Sequence, residues 1–215
     1  MDALILASNS PRRSELLGLF SLPFCVIPAD IDEDQRAGEP PLAYVQRMAY
    51  QKALAIAGEH TGLVIAADTI VVDEGALLGK PQSQSEARWM LAQLRGRVHQ
   101  VHTHIAIVDP NTGHSSDAVC STDVPMRAYS DVEIDAYITT GDPMDKAGAY
   151  GIQNGDFHPV EELQGCFASV MGLPLCHLAV GLRLFGMEVM DGLPERCQAF
   201  LGYECPVFSA ILGTV

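Results

Sequence analysis

The run LVIAADTIVV, residues 63–72, constrains this chain more than any other stretch. It is rich in β-branched residues and shows no helical period, so it reads as a buried central strand, either continuous or kinked at Asp68. A strand of that kind needs cover on both faces, which points to an α/β or α+β sheet protein with a cleft. Asp68 interrupts the apolar run. Its carboxylate must be paired, hydrogen-bonded or metal-bound to offset desolvation, and holding a turn is the structural alternative to a chemical role.

Flanking segments supply the rest of the sheet and its covering. Residues 3–7 read as a first strand, then Ser10 as the cap and Pro11 as the first position of a helix through RRSELLGLF, with Gly18 near its end. PFCVIPA (23–29) reads as a second strand, followed by the acidic loop DIDEDQ and a longer helix over EPPLAYVQRMAYQKALAIAG that stops at Gly58. DEGALLGKP reads as a turn, and Ser83 with Glu86 forms a capping pattern for a helix ending near Gly96. Two alternating segments on either side of PNTG (110–113) predict an antiparallel hairpin, after which Ser130 caps DVEIDAYITTG and a further helix enters at Pro174. Residues 1–186 are expected to form one domain, with 187–215 as a tail lacking a clear period.

Twenty-seven acidic against 13 basic residues give a net charge of −14, a field that repels nucleic-acid backbones and anionic membranes. Neither is expected as a partner. A small phosphate compound can still bind if the cations gather in one place, and the chain has only three lysines, Lys52, Lys80 and Lys146. The 48% hydrophobic and 19% charged content is that of a globular protein. With no apolar stretch near 18 residues and no leader pattern in MDALILASNSPRR, the expected location is the cytoplasm. The six cysteines, none in a C-x-x-C pair, are expected to be reduced and mostly buried there.

In SNSPRR a helix start would present free backbone N–H groups and its positive dipole end, and Arg12 and Arg13 add two guanidinium forks. Adjacent cations at that end are unfavourable unless an anion arrives, so a phosphate site is the stronger reading over simple solvation. Lys52 falls on the border of the stripe formed by Leu42, Val45, Ala49, Ala53 and Ile56, which turns it inward or along a cleft wall. Lys80 and Lys146 sit in Gly/Pro-punctuated loops suited to displaying functional groups. Asp32, Glu33 and Asp34 are carboxylates that could join Asp68 around a hard cation such as Mg²⁺. His102 and His104 share a strand face, but without a cysteine or carboxylate at helpful spacing a zinc site is the weaker reading. There is no G-x-S-x-G, Walker or G-x-G-x-x-G motif.

Taken together, LILASNSPRRSELL, AADTIVV, GKP, DKAGAYGIQ and VMGLPL, in that order over about residues 3 to 186, resemble the Maf nucleoside triphosphate pyrophosphatases. The resemblance implies an elongated mixed β-sheet with flanking helices and two lobes around a central cleft, related to the inosine triphosphate pyrophosphatases. It also implies hydrolysis of a nucleoside triphosphate to the monophosphate and pyrophosphate with a divalent metal, usually Mg²⁺, with Mn²⁺ or Co²⁺ as substitutes. Carried over by position, Ser8, Arg13, Lys52 and Lys80 become the phosphate-binding set, Glu33 a metal-side carboxylate and Asp68 the catalytic and metal-binding acid. Arg12, Thr69 and Gln153 match the branch acting on dTTP and UTP, whereas the 7-methyl-GTP branch tends to carry an aromatic residue, Gln and Glu there. The amide of Gln153 both donates and accepts, as a uracil or thymine edge requires. Modified pyrimidine nucleotides and a homodimer remain open, and a non-catalytic regulator of septum formation is the rival from another class.

Overall fold

The computed structural model describes residues 4–213. Its mixed sheet is built on β3 (Val64–Asp73), which pairs along one edge with β5 (Val98–Val108), itself paired with β6 (Ser115–Pro125), both antiparallel. On the other edge of β3 two short strands share the length. β1 (Leu4–Leu6) runs parallel beside Val64 and Ile65 and carries the parallel edge strand β2 (Phe24–Val26), while β4 (Ala76–Leu78) folds back antiparallel on Val71–Asp73. Between them, among the described residues, the stretch from Ala66 to Ile70 has no neighbouring strand on that edge. That interruption is where the cleft opens.

Alternation along β3 decides what each face holds. Val64, Ala66, Ile70 and Val72 pack toward α2 (Pro41–Ala57), whose buried stripe is Val45, Met48, Ala49, Lys52, Ala53 and Ile56. Ile65, Ala67 and Val71 face the larger core, which includes Leu16 and Leu17 of α1 (Pro11–Gly18) and Leu91 and Leu94 of α3 (Gln84–Leu94). The same core takes in Ile134 and Tyr137 of α4 (Asp131–Thr139), Ala168 of α5 (Phe167–Met171) and Leu178 of α6 (Leu175–Leu184). Helices therefore cover both faces, as the apolar run demanded.

Caps at Ser83 and Ser130 form as expected: each hydroxyl accepts from the backbone N–H three residues on, and Glu133 completes a capping box. Ser10 holds the cap position of α1 but makes no side-chain cap bond. Its own N–H donates instead to Ser8 Oγ at 3.1 Å. Pairing of β3 with β5 is unbroken from Val64 to Val72, so there is no kink at Asp68. DEGALLGKP is more than a turn, since it contains β4. Leu42, placed on the apolar stripe of α2 by its spacing, lies 50% exposed in the first turn of the helix, ahead of the sheet it would pack on.

The tail is helical. α7 (Leu193–Leu201) and α8 (Phe208–Leu212) pack on the large core through Leu193, Cys197, Leu201, Tyr203 and Leu212. All six cysteines are free thiols, but only Cys120, Cys166 and Cys176 are fully buried; Cys25 lies exposed near the edge of the sheet. No helix among the described residues is long and apolar enough to cross a membrane.

Candidate active site

Asp68 and Thr69 sit side by side in the interrupted stretch of β3, so their side chains leave the sheet on opposite faces. On the α2 face Lys52 arrives from the middle of its helix, nearly buried, and donates to Asp68 Oδ1 at 2.6 Å and Glu33 Oε1 at 2.8 Å. One ammonium thus holds two carboxylates, and burial without that pairing would be prohibitive. Glu33 comes from the acidic loop, where Tyr44 donates to its carbonyl at 2.8 Å. Burial pushes the Glu33 carboxyl up, but the Lys52 hydrogen bond and charge, helped by Lys80 and Arg13, outweigh it and hold the group below the ordinary range. Tyr44 is pushed up to about 12 by burial and by the negative charge of Asp68 and Glu33.

The opposite face answers differently. Arg13 turns inward and spends its guanidinium on Gly172 O (2.9 Å), Ser8 Oγ (3.3 Å) and Thr69 Oγ1 (3.1 Å). Thr69 and Thr103 share a hydroxyl contact of 2.9 Å, and Thr103 donates onward to Ser169 O. This web ties α1, β3, β5 and α5 together behind the cleft. Gly172 is required in it: its φ of +116° suits glycine, and a Cβ there would lie 3.2 Å from Arg13 Nε and 3.3 Å from Thr69 Oγ1. Burial lowers the Arg13 pKa against the opposing pull of Asp68, with Arg12 adding to the lowering, yet a guanidinium stays charged at physiological pH.

Arg12, one position along α1, points about 100° away and pairs with Asp145 at 3.3 Å on the cleft rim. Asp145 also accepts from Lys146, whose ammonium is consumed by Asp142 Oδ1, Asp142 O and Asp145. Lys146 therefore organises its loop rather than offering a free charge. Beside it Gly148, at φ +69°, presses the turn Ala147–Ala149 onto Val71 and donates to Gly79 O at 3.1 Å, which fixes the backbone leading to Lys80. Lys80 makes no ion pair among the described residues and faces the cleft.

Arg12, Arg13, Glu33, Lys52, Asp68, Thr69, Lys80 and Gln153 all border one cleft of about 650 Å³. Ser8 lies behind it, 6% exposed, and reaches it only through Arg13 and the Ser10 amide. Sequence reasoning gave no role to Tyr44 and Asp145, which border the same space, or to Gly172; the only hints were that Asp145 opens the DKAGAYGIQ block and Gly172 lies in VMGLPL. His102 bonds Ser121 and His104 faces Asp117 at 2.8 Å, and among the described residues no group of three or more metal-ligating side chains occurs. The zinc reading thus finds no donor set. Two carboxylates bordering open space, with an ammonium already between them, do fit a hard divalent ion that keeps water and phosphate oxygens as its other ligands.

A family model described as Maf-like protein matches residues 3–185. The chain belongs to the Maf family. Its Maf relatives include a dTTP/UTP pyrophosphatase of Moorella thermoacetica, 45% identical over 190 residues that take in 88% of this chain and 98% of that protein. Another, of Anaeromyxobacter dehalogenans strain 2CP-C and of the same name, is 47% identical over 188 residues, 86% of this chain and 95% of that protein. Among solved structures, the Ham1 protein of Staphylococcus aureus aligns with a TM-score of 0.43 at 17% identity, over 59% of this chain and 73% of that one. The Maf assignment rests on the family match and the close relatives, which are named as nucleotide pyrophosphatases.

Proposed function

We propose that the protein hydrolyses nucleoside triphosphates, dTTP and UTP foremost, to the monophosphate and pyrophosphate by cleaving the α–β anhydride. The observation that carries this reading is the ammonium of Lys52 between Asp68 and Glu33, opening on a cleft that also gathers Arg12, Arg13 and Lys80 in a chain of net charge −14. Cations so concentrated suit a polyanion, and the names of the 41–47% identical relatives point to the same substrates.

In this scheme Arg12 and Lys80 meet the phosphate chain at the rim, while Arg13, clamped from behind, contributes fixed positive potential rather than a mobile fork. Asp68 orients a water toward the α-phosphorus and accepts its proton. Lys52 and Lys80 take up the charge that develops on the departing pyrophosphate, the electrostatic contribution that dominates reactions of this kind. Glu33 and Asp68 would hold a divalent ion, Mg²⁺ with Mn²⁺ or Co²⁺ as substitutes, which when bound neutralises phosphate charge. Gln153, which borders the cleft, presents a carboxamide that can both donate to and accept from a pyrimidine edge.

A pyrophosphate-release screen with Mg²⁺ over canonical, methylated and modified triphosphates tests this, with Asp68→Asn as the control. Preference for dTTP and UTP, abolished in Asp68→Asn while circular dichroism stays native, is the expected outcome. A 7-methyl-GTP preference would replace the pyrimidine assignment, and an Asp68→Asn enzyme with most of its turnover would remove Asp68 from the chemistry.

A further inference from the structure

A second cavity, of about 860 Å³, opens on the other side of Gln153. It shares Ile152, Gln153 and Met171 with the main cleft, so the residue to which the pyrimidine edge is assigned borders both spaces. Its far wall comes from the extension beyond the family match: Phe200 and Leu201 of α7, then Gly202 and Tyr203. The alignment with the Moorella protein covers nearly all of that protein but only 88% of this chain, so this chain carries added length.

The wall is anchored rather than draped. Tyr203 Oη lies 2.9 Å from both Leu163 O and Gly165 O, and its ring packs at 5.5 Å against Phe167, which lines the same cavity. Leu193, the first residue of α7, is buried in the large core. The opposing loop is held as firmly, with Arg127 donating to Phe157 O and His158 O and Asn154 bonding Phe157 N. Two of the lining residues, His158 and Glu162, have left-handed backbones at φ 44° and 51°, a conformation that costs about 1 kcal/mol or more in a non-glycine residue and persists where surroundings enforce it.

The chemistry of the lining is one-sided. Phe167, Phe200 and Tyr203 offer aromatic surface; Glu15, Glu161 and Glu162 offer carboxylates at the margin; among the described residues no lysine or arginine borders the space. Such a pocket favours an apolar or amine-bearing group and opposes an anionic one. On a pyrimidine C4, whose oxygen or amine would meet Gln153, is flanked by N3 and C5, and of the two it is C5 that carries a substituent. A substituent on C5 therefore leaves the ring beside Gln153.

We infer that this cavity is a subsite for the C5 substituent of a modified pyrimidine nucleotide, selecting neutral or amine-bearing groups over carboxylates, with the C-terminal extension as its outer wall. The inference rests on the pyrimidine reading of the main cleft. Its test compares UTP, 5-aminoallyl-UTP and 5-carboxy-UTP by calorimetric titration with Ca²⁺ in place of Mg²⁺, and separately by pyrophosphate release with Mg²⁺. Wild type should bind 5-aminoallyl-UTP about tenfold tighter than UTP, the scale of one desolvated cation–aromatic contact, and 5-carboxy-UTP more weakly than UTP. Phe200→Ala and Glu162→Gln should bring the aminoallyl-to-UTP ratio toward one; Phe200 is 47% exposed, so its truncation leaves the core intact. Equal affinities in wild type, or a ratio untouched by both variants, would overturn the subsite even if all three compounds release pyrophosphate. Conversely, a variant-sensitive aminoallyl preference without pyrophosphate release would keep the subsite and discard the hydrolase reading.

Discussion

Replacing Lys52 with Met keeps the aliphatic stem on the core edge and removes only the charge that separates two carboxylates. Asp68 Oδ1 and Glu33 Oε1 lie 2.6 and 2.8 Å from the same nitrogen, so the sum of those distances, 5.4 Å, is the farthest apart they can be. Two like charges about 5 Å apart repel by about 3 kcal/mol at an effective dielectric constant near 20. The Glu33 side chain is 47% exposed, and solvent screening reduces that to about 1–2 kcal/mol. Without the ammonium, the two carboxylates should no longer both stay ionised at no cost near neutral pH. In wild type the depressed Glu33 stabilises the fold above its unfolded value of 4.5, and that contribution is lost as pH falls through the folded value. In Lys52→Met the sign reverses: the repelling pair costs stability at neutral pH, and protonation relieves the cost as pH falls. The melting temperature should drop by about 5 °C at pH 7.5, with the gap to wild type closing toward pH 4.5. Pyrophosphate release should fall by about 10²-fold or more, and Lys52→Arg should restore the stability but only part of the turnover. A gap in melting temperature that stays constant from pH 8 to pH 4.5 would refute the shared-ammonium argument.

Gly172→Ala places a methyl group against Arg13 Nε and Thr69 Oγ1 on a backbone at φ +116°, so a stability loss of about 1–3 kcal/mol in urea denaturation and a raised KM for triphosphate are expected; an unchanged KM would show the web to be irrelevant to binding. His99 donates or accepts at 2.7 Å with Tyr150 Oη, and burial, opposed by Asp73, pulls its pKa down to about 4. Because the unfolded state takes up the proton first, stability is full above about pH 6.5 and falls by up to about 3 kcal/mol toward pH 4. His99→Gln should flatten that slope in melting curves, and an identical slope would assign it to another group.

How much of this was legible follows from what each residue does locally. The central strand could be read because the ten residues 63–72, with no helical period and cover on both faces, leave few alternatives, and Asp68 stood out as the one charge within that run. Lys52 was readable from its place at the border of an apolar stripe, since helix geometry is regular. Helix spacing alone did not separate Arg13 from Arg12, although the family resemblance gave them different roles: the 100° between neighbours that sends one to Gly172 and Thr69 and the other to Asp145 depends on how α1 is rotated on the sheet, a tertiary matter. Lys146 looked like a displayed charge, yet its partners Asp142 and Asp145 close on it through a turn that no periodicity announces. Strand β4 has three residues, too few for a pattern, and exists because β3 runs on past β1. In the tail, Leu193, Cys197 and Leu201 do recur every four residues, but Gly192 and Pro194 at the start of α7 hid the helix among turn signals.

The uncovered middle of β3 reaches beyond this one set of side chains. The carbonyls of Leu63 and Ile65 accept from Ile5 and Ala7 of the β1 segment, so by alternation the main-chain groups of Ala67 and Thr69 face the same edge, past the end of one neighbour and short of the next. A guest lying there would take the position a missing strand would have filled, and could draw on peptide groups that no side-chain change short of proline removes. Part of what the fold offers a ligand is thus written into the polymer itself, and the surrounding loops are free to drift toward new bases without dismantling the floor on which any of them would rest.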